Sequence, residues 1–428
     1  MAMSNATVES TGVTGMTGAA GTQGGSGRSG KPGLLAIVPV MVAFFVMGFV
    51  DLSGTAINYV KDEFALSNGT ANLLTVMVFF WFLLFSVPTG MLMNRIGRRR
   101  TVLWSILVTL VAMALPVVGY VACSGTVRLV LIVASFAFLG IGNTLMQVSL
   151  NPLLTVFVQG DGLASTLTMG QFVKCFAALF APYIAIWGAS TLGCWWIVFA
   201  IYLAVGVVGY VLLALDRIDE PAPDAGATSI GACFRLLFSD RIVLLCFLGI
   251  VAHVGIDVGV NAQAPRVLTE HTGDRFAAIA TSAAMVFFIA RMIGCFTGGI
   301  VLQRISNRAG LLACGTIMTV GVAGLAVFAT IGVNPPVWLF WATVAMIGFG
   351  NANVFSLFLS HALMYRPDRQ NEISGLMLMG LVGGGVFPPI MGVVADVMHA
   401  QIGAVIVMAV GCLYVLFLGI GHRVLESA

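Results

Sequence analysis

The sequence GMLMNRIGRRR, from Gly90 to Arg100, joins the end of one long apolar run to the beginning of another. A similar sequence, GIVLQRISNR, occupies the corresponding place from Gly299 to Arg308 in the second half of the chain. A glycine, an isoleucine and two arginines of the first joint recur in the second at a constant displacement. Because the same apolar-to-basic joint occurs twice, we expect two halves of similar structure.

The composition is that of a membrane protein. Hydrophobic residues make up 59% of the 428 residues and charged residues only 9%, whereas charged residues form about 25% of a typical soluble protein. The apolar residues occur in continuous runs of about 18 or more, which indicates membrane-spanning helices rather than the alternating strands of a barrel. The cysteines are scattered without metal-ligand spacing. We predict an all-α membrane protein with no metal site and no nucleic-acid partner.

The apolar runs divide the chain into two equal sets. Six runs precede and six follow a polar stretch that contains DRIDEPAPDAG, whose prolines and acids exclude a membrane span. We predict twelve transmembrane helices, numbered spans 1 to 12, in two six-helix bundles. The predicted regions are a disordered tail at 1–33, the first bundle at 34–215, a linker at 216–241, the second bundle at 242–421 and a tail at 422–428.

The repeat extends into the spans. LGIGN, ending at Asn143 in span 4, recurs as IGFGN, ending at Asn351 in span 10, and Asp51 of span 1 has a counterpart in Asp257 of span 7. Since each half has an even number of spans, the two copies have the same orientation, as in pseudo-symmetric transporters. Most Lys and Arg residues fall on one side of the membrane when both termini are cytoplasmic. We therefore expect a multi-pass protein of the bacterial cytoplasmic membrane that works as a monomer.

The first joint resembles the signature of the major facilitator superfamily, which has the form G-x-L-x-D-R-x-G-R-R between spans 2 and 3. Gly90, Leu92, Arg95 and Gly97 match it together with the following arginines, whereas Asn94 stands in place of the acid. The resemblance implies two pseudo-symmetric bundles that alternate access to a central site. It also implies that the joint belongs to a gate, in which the acid contacts neighbouring helices in the outward-open state.

Within that superfamily the chain resembles the fucose permease and bacterial hexose symporter branch. The resemblance lies in NPLLTVFVQG from Asn151, VFSLF from Val354 and GGGVFPPIMG from Gly383. It implies a neutral hexose as substrate and a coupling cation, commonly the proton. The two acids that carry the proton in that branch align with Gly54 and Gln147, and Asp51 lies one turn before the first of these positions.

Two ionisable residues are the predicted coupling residues, Asp51 in span 1 and Lys174 in span 5. Charged groups at membrane depth are costly, so each requires a partner or a function. From its position in span 1, we expect Asp51 to lie somewhat outside the midplane. We favour an Asp51–Lys174 pair that is broken or protonated during transport. The alternatives are a static salt bridge, and a Lys174 that binds an acidic substrate or replaces the coupling cation.

The predicted substrate site consists of polar residues that recur at four-residue spacing, which places them along one stripe of a helix. His253 suits packing as well as pH sensing, and Asn151 suits a cap at the kink of Pro152 as well as a ligand contact. The predicted substrate-binding residues are Asn143, Gln147, Asn151, Gln171, His253, Asp257, Asn261, Asn351, Asn353 and Ser356.

The predicted gate lies at the two joints and in the glycine-rich span 11. Its arginines suit topology and lipid headgroup contact as well as gating, and we expect Arg291 near the inner end of span 8. Glycine and proline make span 11 deformable. The predicted gating residues are Asn94, Arg95, Arg98, Arg291, Arg304, Gly383, Gly384 and Gly385.

These features favour a secondary active transporter that takes up a neutral monosaccharide with a proton or sodium ion. The chain has no ATP-binding motif, and we expect neither enzymatic activity nor a cofactor. The alternatives are a transporter of an anionic sugar derivative, a uniporter or exchanger, and an efflux pump for amphiphiles. A membrane sensor or scaffold is disfavoured, because it has no use for polar stripes inside its spans.

Overall fold

The computed structural model describes residues 37–158, 160, 162–216, 218, 220, 229–273, 282–331 and 335–421. The two predicted tails, 1–33 and 422–428, lie outside these residues. The predicted linker, 216–241, is described only in part.

The described residues form twelve helices that are long and apolar enough to cross a membrane, as the apolar runs predicted. The helix that contains span 2 begins earlier than the span itself, at Asn68. The spans are, in order from 1 to 12, Val38–Glu63, Val76–Ile96, Arg98–Ala122, Gly125–Val156, Gly162–Leu192, Ile197–Leu215, Arg241–Thr272, Ser282–Val301, Asn307–Thr330, Val337–Tyr365, Pro367–Met398 and Ile402–Ile420.

The two bundles have the same internal arrangement. In the first, span 1 packs against spans 5 and 6, span 2 against span 4, and span 3 against spans 4 and 6. In the second, span 7 packs against spans 11 and 12, span 8 against span 10, and span 9 against spans 10 and 12. Each of these contacts recurs six spans later. The predicted fold of two pseudo-symmetric six-helix bundles is therefore confirmed.

The linker contains a short helix, Ile230–Ser239, that the sequence reading did not predict. Ser229 caps its first turn by accepting a hydrogen bond from the backbone N–H of Ala232. Its apolar side chains divide between a buried face, with Leu237, and an exposed face, with Phe238. The helix packs against spans 2, 7 and 11, so this part of the linker contacts both bundles.

Several spans are interrupted near their middle. Span 1 passes through a 3-10 segment at Gly48–Asp51, span 11 passes through another at Gly380–Val382, and the first helix of span 10 ends at Asn351. Irregular backbone at membrane depth is tolerated where it is enclosed by protein or lines a cavity. These interruptions place candidate site residues at the centre of the molecule rather than on its lipid-facing surface.

The two bundles meet closely at one end, which carries the joint at Gly97 and Arg98 and is here called the basic end. Spans 2 and 11 cross there through small residues. A Cβ atom at Gly90 would lie 2.6 Å from the backbone oxygen of Asn371, and one at Gly375 would lie 2.7 Å from that of Ser86. Glycine at both positions allows the backbones of the two bundles to touch.

A Gly375→Ala substitution should destabilise this conformation, because the added methyl group would meet the backbone of span 2, which cannot move aside alone. Overpacking of this kind costs about 1–3 kcal/mol. We expect the thermal unfolding midpoint of the purified protein to fall by several degrees. Gly392→Ala, in the same span, is the matched control, because no atom lies within 4 Å of its added Cβ. Equal midpoints for the two variants would contradict the described crossing.

Candidate functional site

Four charged side chains lie at the centres of their spans. Asp51 is almost equally far from the two ends of span 1, and Arg291 from the two ends of span 8. The expectations that Asp51 lies outside the midplane and that Arg291 lies near the inner end of its span were therefore wrong. Asp257 is likewise central in span 7, and Lys174 lies in the central part of span 5.

Asp51 and Lys174 form the contact expected from the sequence. The Lys174 ammonium nitrogen lies 3.7 Å from Asp51 Oδ2, which is within ion-pair distance but beyond an ordinary hydrogen bond. The Asp51 side chain is 40% exposed and that of Lys174 is 18% exposed. Gly48 permits the approach of spans 1 and 5, because a Cβ there would lie 2.5 Å from the Lys174 carbonyl oxygen. The pair is therefore loose and accessible.

Asp257 and Arg291 form a second, tighter pair in the other bundle. Arg291 Nη1 donates to Asp257 Oδ2 at 2.6 Å, and the two side chains are 18% and 16% exposed, respectively. Asn261 donates to the backbone oxygen of Asp257 at 2.7 Å. The sequence reading assigned Asp257 to substrate and Arg291 to a gate without recognising that they meet. Helical spacing alone gave no signal for a contact between different spans.

The two ion pairs lie on either side of the boundary between the bundles. Lys174 is on span 5 and Arg291 is on span 8, and these spans pack together across that boundary. The rings of Phe172 and Phe296 lie 5.1 Å apart between them. The centre of the protein thus contains two acids and two bases whose formal charges cancel.

His253 and Asn351 satisfy each other. The His253 ring donates from Nδ1 to the side-chain oxygen of Asn351 at 2.8 Å, and the Asn351 amide donates to the His253 backbone oxygen at 3.2 Å. Both side chains are buried. This contact joins spans 7 and 10 and fits the packing interpretation of His253. Their predicted contact with substrate stays a prediction.

The amides of spans 4 and 5 differ in their partners. Asn151 donates to the Gln147 backbone oxygen at 2.7 Å, next to Pro152, which fits a cap at the kink. Asn143 Oδ1 and Gln171 Nε2 are buried and have no hydrogen-bond partner within the described part of the chain. An acceptor and a donor without partners on neighbouring helices provide hydrogen-bonding capacity that packing has not used.

Span 10 contributes two further predicted residues. Asn353 donates to the backbone oxygen of Gly294 in span 8 at 3.2 Å. Ser356 is buried, and its hydroxyl lacks a partner among the described residues. Asn353 therefore holds spans 8 and 10 together, and its predicted role in binding, like that of Ser356, stays a prediction.

The gating residues of the first joint take part in contacts between the bundles. Asn94 of span 2 donates to Glu372 of span 11 at 2.9 Å and accepts from Asn371 at 2.7 Å. Arg98 donates from Nε to Asn371 at 2.7 Å and from Nη2 to Gln370 at 2.9 Å. These bonds close the basic end. The sequence reading missed the three residues of span 11 because it began that span at residue 373, beyond all of them.

The other predicted gating residues take no part in these hydrogen bonds between the bundles. Arg95 and Arg304 are exposed, which fits arginines that set the membrane topology and contact lipid headgroups. A Cβ at Gly383 would clash with the backbone oxygen of Val251 in span 7, whereas one at Gly385 would meet no atom within 4 Å. The space around Gly384 is intermediate between these two, since a Cβ there would lie 2.9 Å from a methyl carbon of a valine side chain in span 7. Gly383 is thus required for close packing of spans 7 and 11.

The linker also contacts the first joint. Glu220 accepts a hydrogen bond from the backbone N–H of Arg98 at 2.8 Å, at the beginning of span 3. A carboxylate at a helix N-terminus satisfies an amide that has no partner in the helix and is favoured by the helix dipole. Arg99 donates to the backbone oxygen of Ala214 at 2.9 Å. The joint is therefore held to the end of span 6.

Comparisons with known proteins agree with this architecture. The model of the Major Facilitator Superfamily matches residues 40–389. The chain is 24% identical over 378 residues to a glucose/galactose transporter of Brucella abortus, covering 84% of this chain and 88% of that protein. It is 22% identical over 389 residues to a putative glucose/galactose transporter of Helicobacter pylori, covering 86% and 90%.

Two solved structures share the fold at low sequence identity. The Escherichia coli fucose:proton symporter FucP superposes with a TM-score of 0.78 at 15% identity, covering 92% of this chain and 99% of that one. The proton:xylose symporter XylE, bound to 6-bromo-6-deoxy-D-glucose, superposes with a TM-score of 0.70 at 15% identity, covering 90% and 94%.

Proposed function

The chain belongs to the Major Facilitator Superfamily, and from this premise we propose that it carries a neutral monosaccharide across the membrane by alternating access. As a member of that family it is a transporter and not an enzyme. The observation that carries the choice of substrate is the pairing of its central charges, Asp51 with Lys174 and Asp257 with Arg291. The names of the relatives, which are glucose/galactose transporters, support the same substrate class.

Neutrality of the centre favours an uncharged ligand over an anionic one. A carboxylate that entered the site would have to compete with Asp51 for Lys174 or with Asp257 for Arg291. In either case one acid would be left without its base at membrane depth, which is costly. A neutral sugar can enter without breaking either pair, so we place an anionic sugar derivative second. An amphiphile would not use the polar atoms of the centre, which disfavours the efflux pump.

Unused hydrogen-bonding atoms inside the spans suit a polyhydroxylated ligand. Three buried acceptors have no partner in the described part of the chain: Asp257 Oδ1, Asn261 Oδ1 and Asn143 Oδ1. The buried donor Gln171 Nε2 has none there either. A sugar hydroxyl is both a donor and an acceptor, so it can bond to either kind of atom. We propose that Asp257 accepts from sugar hydroxyls through Oδ1 while Arg291 holds Oδ2.

We further propose that a proton or sodium ion drives uptake through Asp51. The loose contact of 3.7 Å and the exposed carboxylate leave Asp51 accessible to a cation that competes with Lys174. The same contact favours one alternative function, because a fixed ammonium beside Asp51 can replace the coupling cation and leave a uniporter or exchanger. We place the basic end in the cytoplasm of a bacterial cell, where positive charge is enriched, and expect a monomer.

Entrance counterflow in proteoliposomes tests the substrate class. Vesicles loaded with an unlabelled compound should take up the same labelled compound when the protein carries it. D-glucose and D-glucuronate form a matched pair, since they differ only at carbon 6, and galactose, fucose and xylose complete the panel. We expect exchange of at least one neutral sugar and little exchange of glucuronate. Faster exchange of glucuronate than of glucose, or no exchange of any sugar, would refute the proposal.

A further inference from the structure

One carboxylate at the basic end stands opposite the place where the family signature has its acid. We propose that Glu372 of span 11 supplies the carboxylate of the closed end, so that the acid missing at Asn94 is provided by the opposite bundle. The cluster formed by Asn94, Arg98, Asn371 and Glu372 is here called the latch. The proposal goes beyond the proposed substrate and requires only that the two bundles alternate access.

The latch is a continuous set of hydrogen bonds across the boundary. Glu372 Oε1 accepts from Asn94 at 2.9 Å, Asn94 Oδ1 accepts from Asn371 at 2.7 Å, and Asn371 Oδ1 accepts from Arg98 at 2.7 Å. Asn94 uses its amide donor toward Glu372 and its acceptor toward Asn371. An asparagine at this position therefore fits a partner that is itself an acid, whereas an aspartate here would offer no donor.

Arg98 connects the latch to the rest of the first bundle. Its Nη1 donates to the backbone oxygen of Pro152 at 2.9 Å and to Thr155 at 2.8 Å, both at the end of span 4. It is connected to Glu372 through the hydrogen bonds of Asn371 and Asn94. Glu372 is thus the acid that span 11 contributes to the same hydrogen-bonded set as this arginine. Loss of its charge removes attraction between the bundles without removing side-chain volume.

At the pseudo-symmetric interface between spans 5 and 8, the two described residues that correspond to Asn94 and Glu372 are both uncharged. By the repeat, Gln303 takes the place of Asn94 there and Ser165 takes that of Glu372. Gln303 bonds at 3.3 Å to the backbone oxygen of Gly299, which lies in its own span, and Ser165 bonds across the boundary to the same oxygen at 2.6 Å. One interface therefore carries a neutral bond where the other carries a carboxylate. Of these two corresponding contacts among the described residues, the one between spans 2 and 11 carries the charge.

Isosteric substitutions test this assignment directly. Glu372→Gln removes the charge, Asn94→Asp places two carboxylates at hydrogen-bond distance, and the double variant returns one acid and one amide in exchanged positions. Charge-assisted hydrogen bonds are about twice as strong as neutral ones, so we expect each single change to shift the closed-to-open ratio by about tenfold. A residue with a merely structural role would not be rescued by moving the charge to position 94.

The readout is the reaction of a Ser86→Cys reporter with a hydrophilic maleimide, measured above the labelling of the same variant without the reporter. Ser86 is fully buried against Gly375 at the crossing of spans 2 and 11, so it reacts only after the basic end opens. We expect about tenfold faster labelling in each single variant and a return to within about threefold of the parent in the double variant. Gln303→Ala is the control and should not change the rate.

Two results would overturn the proposal. Unchanged labelling after Glu372→Gln would show that the carboxylate does not hold the end closed. If the double variant were labelled as fast as the faster single variant, the carboxylate charge would not be what holds the end closed. This second result decides the question even if Glu372→Gln alone folds poorly. No sugar takes part in the measurement, so its outcome is independent of whether the proposed substrate is correct.

Discussion

Replacing Lys174 with methionine should abolish accumulation of sugar, because the substitution leaves the Asp51 carboxylate without its partner at the centre of span 1. The two charged groups lie 3.7 Å apart, and an isolated charge at membrane depth is strongly unfavourable. Because the Asp51 carboxylate is 40% exposed, losing its partner costs far less than breaking a fully buried pair, about 1 kcal/mol. We therefore expect initial rates of counterflow to fall by roughly fivefold.

The double variant Lys174→Met/Asp51→Asn separates pairing from coupling. Removal of both charges should restore much of the counterflow, since no unpaired acid remains, but not uphill accumulation, since the proposed cation site is lost. Lys61→Met, at a half-buried position near the end of span 1, serves as the control and should retain both activities. Counterflow by the double variant that is as poor as that of Lys174→Met alone would count against the pair.

Arg291→Met should produce the largest loss of stability of any single change at the centre. It leaves Asp257, whose carboxylate lies 2.6 Å from the guanidinium and is mostly buried, without a counter-ion. Breaking such a pair costs about 3–5 kcal/mol, while replacing both partners together costs far less. We therefore expect a marked fall in the thermal unfolding midpoint for Arg291→Met and recovery of most of it in Arg291→Met/Asp257→Asn.

The pair between Arg366 and Asp240 provides a matched comparison. It is 3.2 Å long, but the Arg366 side chain is 40% exposed, and exposed pairs contribute about 1 kcal/mol or less. Arg366→Met should thus lower the unfolding midpoint much less than Arg291→Met. Equal unfolding temperatures for the two single variants would show that the Asp257–Arg291 pair contributes no more to stability than the exposed pair. A double variant no more stable than Arg291→Met would show that the unpaired Asp257 carboxylate is not the cause of the loss.

The fold followed from the sequence because membrane spans are determined by the length and composition of each apolar run alone. The repeat of the joint at Gly90 likewise predicted two halves of similar structure, whereas the contact of Gly90 with span 11 became visible only in the fold. The contact between Asp51 and Lys174 was also accessible, since two opposite charges within spans require partners and few were available. That pairing also relied on the resemblance to the superfamily, in which spans 1 and 5 both line the central cavity.

The contacts that the sequence reading missed depend on the arrangement of spans that are not consecutive. Arg291 meets Asp257 because spans 7 and 8 present these residues at the same depth, which their positions in the sequence do not specify. Glu372 was missed for a different reason, since it was assigned to a loop and its helix begins two residues earlier, at Gln370. The asparagine at position 94 was the available signal, because a missing acid at a gate calls for a search for another at the same end.

The two proposals assign transport and closure to different regions of the fold. In them the electrically balanced centre supplies hydrogen-bonding atoms to the sugar, and the latch holds the bundles together at the basic end. The loose pair at Asp51 and the tight pair at Asp257 divide the centre into one half that suits a mobile cation and one that suits a bound sugar. A change at either pair should therefore affect transport differently.

The most direct test of this account is accumulation of labelled glucose or galactose in proteoliposomes under a proton gradient alone, a sodium gradient alone, and no gradient. The account predicts accumulation above the external concentration with one of the two gradients, none without a gradient, and its loss in Lys174→Met/Asp51→Asn while counterflow continues. Counterflow without accumulation under either gradient would contradict the coupling role of Asp51. Absence of both would contradict transport of a neutral monosaccharide.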